Sequence, residues 1–433
     1  MCAERGPLPR LWVLVVAIAL LLAPSRPTRA AELPWPVQRA EDTARHGTLL
    51  LVEDHREPVV WLHIAWPVGD GSVWWRAQQM DLVWDLLPKL SDVGPPAAAR
   101  FDSWHGAQAA GIEVACTRED LDAVLTQLGH FRYFGADLGA GRLRPRAVAR
   151  HQRRQARWQP TWRLERALAA IFFERGDPRL ARRVPRGGRA LTADEIVERI
   201  AAVFALDGWA AGFAGDVTLP EARAALANAF TGEGQVPRAE MGRSALLPPR
   251  DAGSIPPLAV RDRAATEAMV TWSRLGLSLD DPRAPAALVA DALVEARLQQ
   301  ALRGQRGAAY AVWTTSILAP SPDLYVLGAS AAPGDEAASG AALREVVTGL
   351  ATAPPTAEEL RAARGRLAFR RVLGVQDPAS VLRLAVQTAV LPAGAAGPLA
   401  VADAAEHVGD AEVGAFIAEF YQPSAFVLAS VEP

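Results

Sequence analysis

An arginine and a tyrosine seven residues apart are the pair best placed to do chemistry in this sequence. Arg303 follows an apolar, helically periodic stretch over 286–302, and Tyr310 opens a β-branched and aromatic stretch over 310–318 that predicts a strand. A guanidinium and a phenol on one helix-to-strand turn can both point into a cleft and donate hydrogen bonds to a carbonyl oxygen that gains charge. The same pair is also compatible with a surface ion pair and a tyrosine packed in a sheet.

Two glycines lie in the turn between these residues. Residues 302–310 read Leu-Arg-Gly-Gln-Arg-Gly-Ala-Ala-Tyr, and Gly304 and Gly307 are expected to stop the helix. The string resembles the "LREkrGLaY" signature in the C-terminal half of insulinase-type (pitrilysin-type, or inverzincin) zinc peptidases. In that family the Arg and Tyr of the signature help to bind substrate at the zinc site. The resemblance implies that Arg303 and Tyr310 are substrate-binding residues of this chain.

The resemblance extends beyond this signature. Residues 47–55, Gly-Thr-Leu-Leu-Leu-Val-Glu-Asp-His, look like the family's opening strand and turn. Residues 191–195 and 213–217 look like the close of its first domain. Each motif is loose by itself, and their order and spacing along the chain carry the likeness.

The order of predicted elements in the first half recurs in the second, which predicts an α+β fold with two tandem homologous domains. Each domain is expected to have a mostly antiparallel sheet covered by helices, and the two are expected to face each other like the shells of a clam. The predicted boundaries are a signal peptide over 1–30, an N-terminal peptidase-like domain over 31–231, a Gly- and Pro-rich linker over 232–257 and a C-terminal peptidase-like domain over 258–433.

Hydrophobic periodicity predicts the individual elements of both halves. In the first half we expect an adjacent pair of strands over 48–52 and 59–66, a helix over 77–90, a second pair of strands around 112–116 and a helix that begins near 121. In the second half we expect strands over 258–260 and 269–277, a hairpin of 310–318 with 324–330, helices over 340–350, from Thr356 and over 410–420, and a last strand over 425–430. Thr356 and Glu359 have the spacing of a helix capping box.

The zinc motif of the family's catalytic members does not occur in this sequence. Those members bind zinc through His-x-x-Glu-His on a long helix and a Glu on a later helix, which leaves one position open for water. The resemblance places Asp81, Trp84 and Asp85 on the His, Glu and His positions, and the later helix, aligned with 149–155, carries arginines that would repel a cation. No two of the seven histidines have the motif's spacing with an acid between them: His46, His55, His63, His105, His130, His151 and His407. No metal site or cofactor is therefore expected in this chain.

The N-terminus and the composition indicate an exported protein. Arginines followed by an apolar run over 11–23 and small residues near 28–31 predict a secretory signal peptide, and hence a secreted or periplasmic protein with no membrane segment after cleavage. Retention of this segment as an anchor is the alternative. Beyond it Cys116 is the only cysteine, which excludes an intrachain disulfide. Fifteen arginines over 142–189 predict a solvated helical face or a surface for an acidic partner, and no nucleic-acid partner is expected for an exported chain.

A missing zinc motif beside a retained Arg303 and Tyr310 matches one arrangement of the insulinase-type family. In it two homologous chains pair, one with zinc and the other with the Arg/Tyr element. The resemblance therefore implies a non-catalytic, substrate-binding subunit of an exported heterodimeric zinc peptidase, with zinc only in the partner, an unstructured peptide as substrate and no activity alone. Two alternatives are a catalytically inactive peptide-binding or scaffold protein without a peptidase partner, and a homodimer with an unrelated activity.

Overall fold

The structure of this protein is a computed structural model that describes residues 35–42, 47–67, 99–105, 109–131, 160–174, 209–229, 255–262, 265–305, 309–319, 321–391 and 397–432. In chain order the strands are β1 (Gln38–Asp42), β2 (Gly47–Glu53), β3 (Val59–Pro67), β4 (Arg100–His105), β5 (Ala109–Thr117), β6 (Ala210–Gly215), β7 (Leu258–Arg261), β8 (Ala268–Leu275), β9 (Leu277–Ser278), β10 (Ala311–Thr314), β11 (Leu318–Ala319), β12 (Leu324–Ala331) and β13 (Val427–Glu432). The α-helices are α1 (Leu121–Phe131), α2 (Pro160–Phe172), α3 (Leu219–Ala229), α4 (Ala284–Leu298), α5 (Glu336–Thr352), α6 (Ala357–Gly374), α7 (Pro378–Ala389), α8 (Pro398–His407) and α9 (Asp410–Phe420).

Two mostly antiparallel sheets confirm the predicted α+β class. The first has the order β1-β2-β6-β3-β5-β4, and the second has the order β10-β12-β8-β13-β7. Among the described strands each of these two sheets has one parallel pair, β2 with β6 in the first and β7 with β13 in the second. Without β1, the first sheet reads β2-β6-β3-β5-β4 and the second, from its other edge, reads β7-β13-β8-β12-β10. The described strands therefore repeat one topology in the same chain order.

The prediction that β2 and β3 are adjacent is wrong. Strand β6 lies between them, parallel to β2 and antiparallel to β3. The turn between β2 and β3 suggested a hairpin, but only the long-range pairing with β6 decides which strands are neighbours. The pairing of β2 with β6 also brings together the family-like motifs at 47–55 and 213–217. Glu53 lies beside Gly215, and the His55 ring contacts Glu53 Oε1 at 2.7 Å and Asp216 Oδ1 at 2.6 Å.

Each sheet is buried on both faces, which explains why β2, β6 and β12 are continuous apolar runs. One face of the first sheet packs against α1 and α3. One face of the second sheet packs against α4, α5 and α9. The remaining faces are covered by helices from the other half of the sequence. Leu164 and Leu168 of α2 pack on the second sheet, and α7 packs on β2, β3 and β6 of the first.

Helix α4 is the centre of the second half. Its residues are buried on nearly all sides, because α5, α6, α8, α9 and β10 all pack against it. The sequence predicted a helix over 286–302 with one buried face. The structure instead has an α-helix from Ala284 to Leu298 that continues as a π-helical segment, Gln299–Gln305. Gly304, one of the two predicted stops, lies inside this helical segment, and Gly307, the other, lies outside the described residues.

Other predictions of the second half are confirmed with small shifts. The capping box at Thr356 is present, with Glu359 N–H donating to Thr356 Oγ1 at 3.2 Å and Thr356 N–H donating to Glu359 Oε2 at 2.9 Å. The hairpin of β10 with β12 is formed, but β10 ends at Thr314, and Leu318–Ala319 pairs with β9 in a separate small sheet. The predicted helix over 77–90, the segments 132–159 and 175–208, and most of the linker lie outside the described residues.

Candidate functional site

Tyr310 lies directly before β10, at the edge of the second sheet. Its backbone N–H donates to the Ser330 carbonyl of β12 at 3.0 Å, so the backbone is fixed in the sheet. Its side chain is 66% exposed, although the rest of the hairpin is mostly buried. An exposed tyrosine on a fixed backbone can present its hydroxyl to a molecule outside the chain.

Arg303 belongs to the π-helical segment that continues α4. The neighbouring Leu302 is fully buried in the core of the second half and anchors this segment. The structure thus places Arg303 and Tyr310 on the two sides of one helix-to-strand turn, as predicted. The side chain of Arg303 lies outside the described part of the chain, so its approach to Tyr310 stays a prediction.

Gln299 ties the π-helical segment to the strand that follows the turn. Its side-chain amide donates to the Val312 carbonyl at 3.1 Å. This hydrogen bond joins the segment before residues 306–308 to the strand after them. It links the backbones that carry Arg303 and Tyr310. In the sequence Gln299 is one position of the predicted helix over 286–302, and no pattern there indicates this contact.

A buried polar network attaches α4 to the same hairpin. Tyr325 of β12 donates its hydroxyl hydrogen bond to Asp291 Oδ1 of α4 at 2.7 Å, and its oxygen lies 3.0 Å from the Tyr421 hydroxyl. Thr314 of β10 also bonds the Asp291 carboxyl. Burial is the main cause that raises the pKa of Asp291 to about 6. An aspartate inside an apolar helix was the available sequence signal, because such a residue needs a buried partner.

A second polar contact joins α4 to α6. Arg297 forms a two-pronged ion pair with Glu359, at 2.9 Å and 3.0 Å. This hydrogen bonding lowers the pKa of Glu359 to about 2, so the carboxylate stays charged at neutral pH. Because Glu359 also closes the capping box with Thr356, the beginning of α6 is fixed to the end of α4.

The donor set does not fit a zinc site of the insulinase type. The positions aligned with the zinc motif, Asp81, Trp84 and Asp85, lie outside the described residues and include no imidazole. His55 has both ring nitrogens occupied by carboxylates, and His63 is buried with a pKa lowered by burial to about 3. In the described ranges no group of three His, Cys, Asp or Glu side chains is arranged to hold a metal ion. Burial also raises the pKa of the Cys116 thiol to about 11, which disfavours a reactive thiolate.

Residues 190–367 match a protein-family model described as the peptidase M16 inactive domain. This segment includes the Arg303–Tyr310 turn and the hairpin behind it. The resemblance to the insulinase-type (M16) peptidases is confirmed. None of the curated proteins compared with the sequence matches it.

Solved structures of two proteases and of a peptidase M16 inactive domain share the fold. A protease from Helicobacter pylori superposes with a TM-score of 0.67 at 12% identity, covering 92% of this chain and all of the other. A peptidase M16 inactive domain from Pseudomonas fluorescens has a TM-score of 0.63 at 14% identity, with 92% and 98% covered. The periplasmic protease PqqL from Escherichia coli has a TM-score of 0.60 at 12% identity, with 98% of this chain covering 51% of that protein.

None of the described helices combines the length and the apolar character needed to cross a lipid bilayer. The segment 1–30, predicted to be a signal peptide, lies outside the described residues.

Proposed function

We propose that this chain is the non-catalytic, substrate-binding subunit of an exported two-chain zinc peptidase. A homologous partner subunit carries the zinc ion, and this chain supplies Arg303 and Tyr310 to the partner's active site. The match to an M16 inactive domain supports the non-catalytic part of the proposal. The fold shared with a periplasmic protease supports the exported part.

The exposure of Tyr310 is the observation that carries the proposal. At 66%, Tyr310 has the largest exposed fraction of the exposed large apolar and aromatic side chains among the described residues, and its backbone is held in the sheet. Its hydroxyl can donate a hydrogen bond to the carbonyl oxygen of a bound peptide, which gains negative charge when the carbonyl carbon is attacked. Arg303, seven residues before Tyr310, holds a carbonyl or carboxylate of the same peptide with its guanidinium.

The position of β10 also suits an extended substrate. Among the described strands it is an edge strand, with β12 as its one partner. An edge strand can pair with an extended peptide through backbone hydrogen bonds. Gln299 already occupies the Val312 carbonyl, so we expect any added strand to bond β10 away from that carbonyl.

The test is co-expression of this chain with the homologue from the same genome that carries His-x-x-Glu-His. The complex is purified through a tag on this chain only and assayed for cleavage of an unstructured peptide, with each chain alone as a control. We expect cleavage by the pair and none by either chain alone. Failure to co-purify would reject the two-chain peptidase, and peptide binding by this chain alone would then favour the scaffold alternative. Cleavage by this chain alone would reject the non-catalytic assignment.

A further inference from the structure

Three of the four exposed large apolar side chains among the described residues lie on one turn of α6. Phe369 is 64% exposed, Val372 63% and Leu373 45%, and the fourth such side chain is Tyr310. Their spacing of three and four residues places them on one face of the helix. Gly365 lies on the same face one turn before Phe369 and Ala362 two turns before it, and a side chain added at Gly365 would meet open space. We call the surface of Phe369, Val372 and Leu373 the α6 ledge.

The arginines of α6 divide into two groups. Arg364, Arg370 and Arg371 form ion pairs with acidic residues of the elements packed against α6: Asp410, Glu295, Asp403 and Glu406. Arg361 and Arg366 are exposed and form no ion pair among the described residues. At 100° and about 1.5 Å per residue, Arg366 lies roughly 5 Å and Arg361 roughly 12 Å before Phe369, at opposite margins of the helix face that carries the ledge. The apolar ledge therefore has positive charge on its side toward the start of α6.

The ledge lies toward the same end of α4 as Arg303. Arg370, next to Phe369, pairs with Glu295, which precedes Arg303 by eight residues. At about 1.5 Å per residue this separation is roughly 12 Å along the helix axis. An extended peptide covers roughly that distance with four residues. A peptide longer than four residues can therefore span the separation along α4 between Arg303 and the Glu295–Arg370 ion pair beside the ledge.

We propose that the α6 ledge is a substrate subsite that binds an apolar segment of an extended peptide flanked by acidic residues. This inference rests on the proposed function and adds the class of peptide that the chain selects. Three side chains present at most about 600 Å², even when fully exposed, which is less than the roughly 800 Å² per partner of a stable subunit interface. The area suits an anchor for one or two peptide side chains, and Arg361 and Arg366 favour acidic residues beside that anchor.

The experiment measures peptide binding by the full chain with fluorescence anisotropy. The first probe is a labelled unstructured peptide of about fifteen residues, long enough for the estimated span, with a Leu-Phe-Val core between glutamates. The second has serines in place of the core, and the third has lysines in place of the glutamates. The double variant Phe369→Ser with Val372→Ser removes the ledge. Ala338→Ser with Ala341→Ser, two exposed positions at the same spacing on α5, is the matched control.

We expect the ledge variant to weaken binding of the first peptide roughly 10- to 50-fold and to leave the serine-core peptide and the thermal midpoint unchanged. The α5 control should bind like the wild type. Arg361→Glu with Arg366→Glu should weaken the glutamate-flanked peptide and strengthen the lysine-flanked one, with both effects reduced by salt.

Three outcomes overturn the subsite. Equal affinity of the wild type and the ledge variant for the first peptide would reject it and leave the role of Arg303 and Tyr310 intact. If the ledge variant no longer co-purified with the zinc-bearing homologue but still bound the first peptide, the ledge would be a subunit interface. If the wild type bound none of the three peptides, the subsite and the proposed function would fail together.

Discussion

The two sheets have the same strand order, but they use their edges and buried polar groups differently. In the first sheet β1 is added beside β2, and the edge strand β4 lies at the opposite side. In the second sheet the strand equivalent to β4 is β10, which begins directly after the exposed Tyr310. One topology therefore supports two different surfaces. The repeated strand order gives both halves the same sheet. The residues directly before the edge strand decide which side chains are exposed at that edge.

The halves are also not independent of each other. Helix α2 of the first half covers the second sheet, and helix α7 of the second half covers the first. The Arg383 guanidinium of α7 pairs with Glu113 of β5 at 2.6 Å, which adds a polar contact to the apolar one. Neither sheet can bury both of its faces without a helix from the other half. We therefore expect the two sheets to unfold together.

The largest expected effect comes from truncating a side chain in these exchanged helices. Leu382 of α7 and Leu168 of α2 are both fully buried, one against each sheet. Leu382→Ala and Leu168→Ala should each lower the free energy of unfolding by about 2–5 kcal/mol, in one cooperative transition. Urea unfolding followed by fluorescence and circular dichroism measures this. The exposed neighbour Ala170, changed to Ser, is the control. Two separate transitions would show that the exchange does not couple the sheets.

A titrating residue in each half should make the free energy of unfolding depend on pH, and the two contributions should have opposite signs. In the second, the folded-state pKa of Asp291, about 6, lies above its ordinary value, so the folded chain binds the proton first and stability rises as pH falls from about 6 to 4. In the first, the pKa of His63, about 3, lies below its ordinary value, so stability falls as pH falls from about 6.5 to 3. Each pKa unit is worth roughly 1.4 kcal/mol, which gives about 3 kcal/mol for Asp291.

Two variants separate these contributions. Asp291→Asn keeps an acceptor for the Tyr325 hydroxyl and removes the titration, so the gain in stability between pH 6 and pH 4 should disappear. His63→Gln should remove the loss of stability over the acidic range. Free energies of unfolding measured between pH 4 and pH 7 give both slopes. A variant with the pH slope of the wild type would contradict the assignment for that residue.

The smallest expected effect concerns the edge strand itself. Gln299→Ala removes one hydrogen bond to the Val312 carbonyl, which should cost about 1 kcal/mol. Amide hydrogen exchange in β10 should accelerate, while exchange in β8 and β13 stays unchanged. Gln300→Ala, at the exposed neighbouring position, is the matched control. Equal rates of amide hydrogen exchange in β10 of the two variants would show that the Gln299 side chain does not hold this strand in place.

Local signals in the sequence predicted the parts of this fold that depend on neighbouring residues. The capping box of Thr356 and Glu359 gave the start of α6, and the apolar run before Arg303 gave α4. The β-branched and aromatic residues over 310–318 placed Tyr310 at the start of a strand, but they did not indicate that this strand lies at the edge of a sheet. Exposure of its ring did not follow, because burial depends on what packs around the hairpin.

Other features depend on contacts that no local pattern encodes. The insertion of β6 between β2 and β3 joins residues more than a hundred and forty positions apart. The π-helical turn after Leu298 has no simple sequence signature. Helix α7 was not predicted, although Asp377 and Pro378 have the residue types of a helix start, with Ser380 N–H donating to Asp377 at 2.8 Å. No local pattern indicates that the apolar face of α7 packs on the first sheet, because this contact joins the two halves of the sequence.

The turnover of the assembled pair with Tyr310→Phe tests the central claim most directly. The change removes one exposed hydroxyl and leaves the ring, the backbone hydrogen bond to Ser330 and the fold in place. The proposed role predicts a fall in kcat of roughly 10²- to 10³-fold with unchanged co-purification, while Thr348→Val, on the exposed face of α5, leaves kcat unaltered. A complex that cleaves peptide equally fast with Phe at position 310 would contradict the assignment of Tyr310 to the active site.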